Sequence, residues 1–331
     1  MQTKLSSGVS EFVFGLPASE RAAQLEFWDS FGYSPVAEGS FSATQSEKLY
    51  GHASNLSSIR LRHTGSDAFS TGFVRLQCWE KINHRGLGDK KPLVIGSRWM
   101  GMYTSDILQV RDSLEGFSSG QKVGWLSPLV SAPLVQPPPV VTLQKPFVGL
   151  RETLFFSDLV RIAFIQRAGF DRPGFGTIDS SLPYSNSEGS HANIVQPTKS
   201  FDTEFYKNAF GLETAPFGDA HDSGDELPTQ VALQLDSGQL FRVERLRAPE
   251  CPTGLLQVYS PYFDAPDYRE LSRPGHLGLV LYCFQVSELD CVVQLLKREG
   301  AQKMVTEFNE FGEPSCVFVA PDGYTWAVTG A

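Results

Sequence analysis

With 331 residues, 41% hydrophobic and 20% charged, the chain is long enough for about two globular domains, each with its own core. Its net charge of -9, with 37 acids against 28 bases, opposes a phosphate-binding surface and excludes nucleic acid as an expected partner. Five scattered cysteines without a CxxC pair predict buried reduced thiols; no apolar leader and no run of roughly 18 apolar residues is found, which predicts a cytoplasmic protein without a membrane partner.

In chain order the hydrophobic patterning repeats. Phe12–Leu16 reads as a strand, Ala18–Phe31 as a helix, and Ser58–Arg62 and Gly72–Trp79 as strands. A looser copy comprises Trp99–Tyr103, a helix over Ser105–Leu114, Phe147–Phe155 and Asp158–Ile165. The proline-rich Ser131–Pro139 inside it is expected to loop over a barrel mouth, and the Gly/Ser/Pro-rich stretch 171–190 divides the chain. The third copy has a strand at His191–Val195, a helix from Phe205 that Gly211 can stop, and a hairpin of Thr229–Leu235 and Gln239–Leu246 turning at Asp236-Ser237-Gly238. The fourth runs through His276–Tyr282, a helix over Ser287–Gly300, Ser315–Ala320, a turn at Pro321-Asp322-Gly323, and Tyr324–Val328.

The last strands carry the repeat independently. Phe73–Leu76, Leu159–Ile162, Leu240–Val243 and Thr325–Val328 each set apolar residues around one variable position, which alternation turns to the opposite face: Arg75, Arg161, Arg242 and Ala327.

His191, the later pair Phe205-Tyr206, and the closing Pro321-Asp322-Gly323-Tyr324-Thr325-Trp326 resemble a module of the vicinal-oxygen-chelate superfamily of glyoxalases, bleomycin-resistance proteins and extradiol dioxygenases. The resemblance implies an α+β fold of four tandem βαβββ modules pairing into two open, cupped β-barrels. The expected division is a divergent N-terminal pair over 1–170, a linker at 171–188, and a C-terminal pair over 189–331 holding the candidate site; barrels can close within one chain or across a homodimer. It also implies that His191 and His276, two of only six histidines, occupy the first-strand metal-ligand position. Iron, manganese or zinc would complete its ligand set with a carboxylate, the chemistry of a facial triad. The family's last-strand glutamate is replaced by Ala327 in module four and Arg242 in module three; substitute carboxylates are Glu244, of the same parity as Arg242, and Glu307, Glu310 and Glu313 before the final hairpin.

Three functions stay open. One is a metalloenzyme, dioxygenase-like or a lyase or isomerase, using His191 and His276 on a small aromatic or anionic oxygenated substrate. Another is a metal-free protein that binds or sequesters a small molecule, with Arg242, Tyr206, Trp326 and Tyr262 contacting it. The third is a metal-free cyclase or isomerase with a cavity histidine as base. An internal acid is the expected partner of Arg75 and Arg161, and a ligand that of Arg242. The GxSxG match at Gly116–Gly120 lacks the strand-turn-helix context of a nucleophile elbow.

Overall fold

The computed structural model describes residues 5–66, 71–120, 124–134, 147–170, 175–216, 219–249, 251 and 253–330. Module one contains β1 (Leu5–Pro17), α1 (Arg21–Ser30), β2 (Tyr33–Phe41), α2 (Ala43–Tyr50), β3 (Leu56–His63) and β4 (Phe73–Trp79). Module two contains β5 (Arg98–Tyr103), α3 (Ile107–Gly120), β6 (Trp125–Leu126), β7 (Val130–Pro133), β8 (Gly149–Phe156) and β9 (Arg161–Ala168). Module three contains β10 (His191–Val195), α4 (Glu204–Phe210), β11 (Glu213–Thr214), β12 (His221–Ser223), α5 (Leu227–Leu233), β13 (Phe241–Arg247) and β14 (Leu255–Pro261). Module four contains β15 (Gly278–Val286), α6 (Leu289–Arg298), β16 (Gln302–Phe308), β17 (Pro314–Val319) and β18 (Thr325–Gly330).

Local chemistry accounts for the helix ends. A capping box between Ser42 and Gln45 opens α2, and α4 stops at Gly211, whose φ of 65° is the left-handed value a glycine adopts without strain. In α6 the buried Val292, Val293 and Leu296 form the apolar stripe, and Lys297 and Arg298 sit at the C-terminal end.

Every module has the same sheet topology, its first strand running parallel to its last: β1 with β4, β5 with β9, β10 with β14 and β15 with β18. The first strands then pair antiparallel between modules, β1 with β15 and β5 with β10. The result is two curled sheets, one of eight strands from modules one and four and one of ten from modules two and three, in which β12 and β7 pair off the main path of eight. The fold class is as expected. The division at 171–188 into an N-terminal and a C-terminal pair is corrected, because the outer modules embrace the inner two and both cups close within one chain.

Two element readings also change. Thr229–Leu235 falls largely in α5, which begins with Pro228 in its first turn and buries Ala232 and Leu233; its spacing of apolar residues mimics strand alternation. The last strand of module three is therefore β14, which follows the expected hairpin, and β13 is the strand beside it. Gly116–Gly120 closes α3, so no nucleophile elbow forms, while 135–139 of the proline-rich stretch lies outside the described residues. Of the cysteines, Cys78, Cys251, Cys283 and Cys316 are buried and Cys291 is exposed.

The main core fills the space between the outer faces of the two sheets, with Phe12, Phe14 and Phe284 from one and Met100, Ile162 and Ile194 from the other. Tyrosines of module four brace the second sheet: Tyr282 donates to Asn193 O at 2.8 Å, and Tyr324 donates to Val195 O at 2.7 Å while accepting from Gly96 N at 3.0 Å. Among the described residues no helix is long and apolar enough to cross a membrane.

Candidate functional site

Strand register decides what faces each cup. In the sheet of modules two and three, Glu152 pairs with Ile165 and Ile165 with Tyr103; Gly101 pairs with His191, Asn193 with Gln257, and Gln257 with Arg245. With two-residue alternation these residues, together with Tyr259 and Arg167, share the inner face. The centre of that cup is apolar, filled by Trp99, Leu154, Phe156, Val243 and the Leu233 side chain of α5.

Toward the C-terminal end of β5 the cup turns polar. Arg245 Nε donates to Gln257 Oε1 at 3.1 Å, and the Tyr259 hydroxyl donates to the same oxygen at 3.2 Å. Nothing among the described residues hydrogen-bonds to the terminal nitrogens of Arg245 or to the half-buried Glu152 carboxyl. Burial pushes Glu152 up to about 7, against the opposing pull of the Arg245 guanidinium. The Arg167 guanidinium lies 4.0 Å from the Tyr103 ring centroid, and both residues line a cavity of about 490 Å³ with Thr104, Ser105, Thr177 and Ile178.

His191 belongs to this face and packs against its own sheet. Its Nδ1 lies 3.0 Å from Ser190 Oγ, and its ring covers Gly101 so closely that a Cβ there would sit 1.8 Å from a ring carbon. Burial, then the charges of Arg245 and Arg167, lowers it to about 3, which keeps the imidazole neutral.

The other expected site residues lie elsewhere. His276 precedes β15, its Nδ1 3.1 Å from Leu271 O and its Nε2 3.2 Å from Asn83 Nδ2, beside the His84 ring. Glu244 points out of the cup and takes Lys207 at 2.9 Å, Thr203 at 2.8 Å and Thr214 at 3.0 Å. Arg242, of the same parity, is exposed on the outer face with its guanidinium 5.2 Å from the Phe201 ring centroid. Tyr206 is core, its hydroxyl 2.6 Å from Asp322; Trp326 is core against Phe284 and Tyr206; and Tyr262 is exposed, bonded to Asp222 at 2.6 Å. The expected iron, manganese or zinc ligands His191, His276 and Glu244 thus do not meet, and His191 is flanked by two arginines, a poor setting for a cation. Among the described residues no group of three His, Cys, Asp or Glu side chains could hold a metal ion.

Sequence reasoning missed Arg245, Glu152 and Gln257. Its alternation argument assumed apolar flanks on the outer face, which holds for Val74 and Leu76 around Arg75. In β13 the apolar flanks Phe241 and Val243 fill the cup itself, so Arg242 turns out and Arg245 turns in. Extending the alternation from Phe241 through Val243 to Arg245 was the available signal.

The other cup is occupied by protein charges. Arg75 is 1% exposed; it pairs with Glu11 and lies 3.4 Å from Glu310. Glu310 also accepts from Tyr50 at 2.6 Å and Ser58 at 2.7 Å, and Arg60 joins Glu11 at 2.7 Å to Glu313 at 2.6 Å. The internal pair expected for Arg75 is present. Arg161 differs: its partners are the carbonyls of Arg98, Gly88 and Lys90 and the Ser97 hydroxyl, because the segment before β5 wraps over its guanidinium.

Four βαβββ modules, paired through their first strands into two cups, define the vicinal-oxygen-chelate fold. The chain shares that fold along nearly its whole length with glyoxalase I from Zea mays, at 13% identity and a TM-score of 0.55, covering 98% of this chain and 92% of that one. A Bacillus subtilis protein assigned as a dioxygenase is similar at 10% identity and a TM-score of 0.56, covering 99% of this chain and 86% of that one. No family model and no curated protein matches the sequence.

Proposed function

We propose that the chain binds a small carboxylate with an aromatic or other apolar body at the polar end of the cup of modules two and three, without a metal. The observation that carries this reading is the unspent guanidinium of Arg245, anchored through Nε to Gln257 and facing a carboxyl that makes no hydrogen bond. A ligand carboxylate would take its terminal nitrogens, while Tyr103 and Tyr259 offer apolar walls. The metal-dependent dioxygenase, lyase or isomerase reading drawn from the family resemblance has its three ligands in separate places. A metal-free isomerase is favoured over it by Glu152, whose position near neutrality suits proton exchange with a bound ligand.

Calorimetric titration with benzoate and phenylpyruvate tests the reading. Saturable binding that Arg245→Met removes while circular dichroism is unchanged supports it. Equal binding by parent and variant overturns it, and so does near-stoichiometric iron, manganese or zinc in the purified protein that His191→Ala removes.

A further inference from the structure

A second cavity, of about 340 Å³, opens at the other end of the same cup. It lies beyond the N-terminal end of β5, where the C-terminal ends of β10 and β14 arrive, so the apolar core of the cup separates it from Tyr103 and Arg167. Leu93 and Val94 form one wall, Leu233 and Leu235 another, and Phe263 and Pro266 a third. Leu93 is 2% exposed and Leu233 8%, so these walls continue the packed core.

Two devices hold the cavity open in the free protein. Arg161, inside the fold, donates to Gly88 O at 2.7 Å and Lys90 O at 3.1 Å, fixing the segment that carries Leu93 and Val94. Gln234 has a φ of 53°, an uncommon conformation for a residue with a side chain, and Leu233 and Leu235 both reach the cavity on either side of it. Lys91 Nζ, 3.3 Å from the Gln234 carbonyl oxygen, ties that turn to the opposite wall. A pocket held in this way loses little entropy when filled.

Charge at the rim selects the occupant. Lys91 is engaged with a carbonyl, whereas the Lys90 ammonium lies 5.6 Å from the Tyr268 ring centroid and makes no hydrogen bond or ion pair with the described residues. Asp264 lines the same cavity and disfavours a polyanion. We infer that this cavity is a second binding site, for an amphipathic monocarboxylate whose long alkyl body fills the leucine and phenylalanine walls and whose head reaches Lys90. It is independent of the site proposed at Arg245.

The test uses the full chain, 1-anilinonaphthalene-8-sulfonate as fluorescent probe, and decanoate, decanol and benzoate as competitors. Decanoate should displace the probe along one saturable curve, and decanol should need a concentration about tenfold higher, the loss expected for an unmatched rim charge. Lys90→Glu should weaken decanoate by at least about tenfold, Lys90→Arg should retain it, and Arg245→Met should leave it unchanged. Equal displacement by decanol and decanoate overturns the inference, as does a Lys90→Glu protein that matches the parent. Loss of decanoate binding in Arg245→Met also overturns it, because the acid would then sit at the other end. Benzoate binding that survives Arg245→Met counts against the first site alone.

Discussion

Arg245 and Tyr259 donate to one acceptor, Gln257 Oε1, at 3.1 and 3.2 Å, so a single amide oxygen sets the direction of both a guanidinium and a phenol inside the cup. Arg245→Met should remove benzoate binding, and Gln257→Leu should weaken it by roughly 1–2 kcal/mol by letting the guanidinium swing. Both variants should unfold in urea near the parent midpoint, since neither Arg245 nor Gln257 anchors the main core. Calorimetry beside a urea curve separates loss of the site from loss of the fold.

Glu152 gives this site a pH dependence. Its carboxyl is raised from 4.5 to about 7, chiefly by burial, so the folded state favours the neutral acid. The sign follows: its contribution to stability is complete below about pH 4.5 and is lost as pH rises through 7. A carboxylate ligand also prefers the neutral form, so affinity should fall by about tenfold per pH unit above 7 in the parent and stay flat in Glu152→Gln. Identical slopes in the two proteins between pH 6 and about 8.5 would remove Glu152 from the site.

The repeat was legible because each module must bury the same faces, and the patterns around Val74 and Ile162 expose that need. The pairing of modules was not, because the first strands β1 and β15 meet across almost the whole sequence and no local residue announces such a partner. The inward face of β13 was misread for a related reason. In β13 alternation fixes which residues share a face, but whether Phe241 or Arg242 looks inward depends on α5 filling the cup, a tertiary fact absent from the strand's own seven residues.

In the cup of modules one and four, Glu11 is an acid-stability sensor. Burial alone would raise its carboxyl, but Arg75 and Arg60 together hold it at about 2. The stability this pairing supplies is present above the unfolded value of 4.5 and is lost as pH falls toward 2. Arg75→Met, which strips the buried Glu310 of its cation and leaves Glu11 with Arg60 alone, should cost about 3–5 kcal/mol at pH 7. Adding Glu11→Leu should recover part of that cost and flatten the acid limb of the stability profile. Chemical denaturation at pH 3, 5 and 7 checks both statements, and a single variant as stable as the parent would contradict them.

Gly101 and His191 provide the decisive test of whether the histidine is a fold residue. A Cβ at position 101 would meet the His191 ring at 1.8 Å, far inside van der Waals contact, and the ring cannot leave without giving up Ser190 Oγ at 3.0 Å. Gly101→Ala should therefore destabilise by roughly 1–3 kcal/mol through overpacking. His191→Ala should cost a similar amount by opening a void, and the double variant should be more stable than the sum of the two losses predicts. Such favourable coupling, with metal content the same in all four proteins, is the signature of a packing partner. Additive losses together with metal that disappears in His191→Ala would return the imidazole to the role of a ligand.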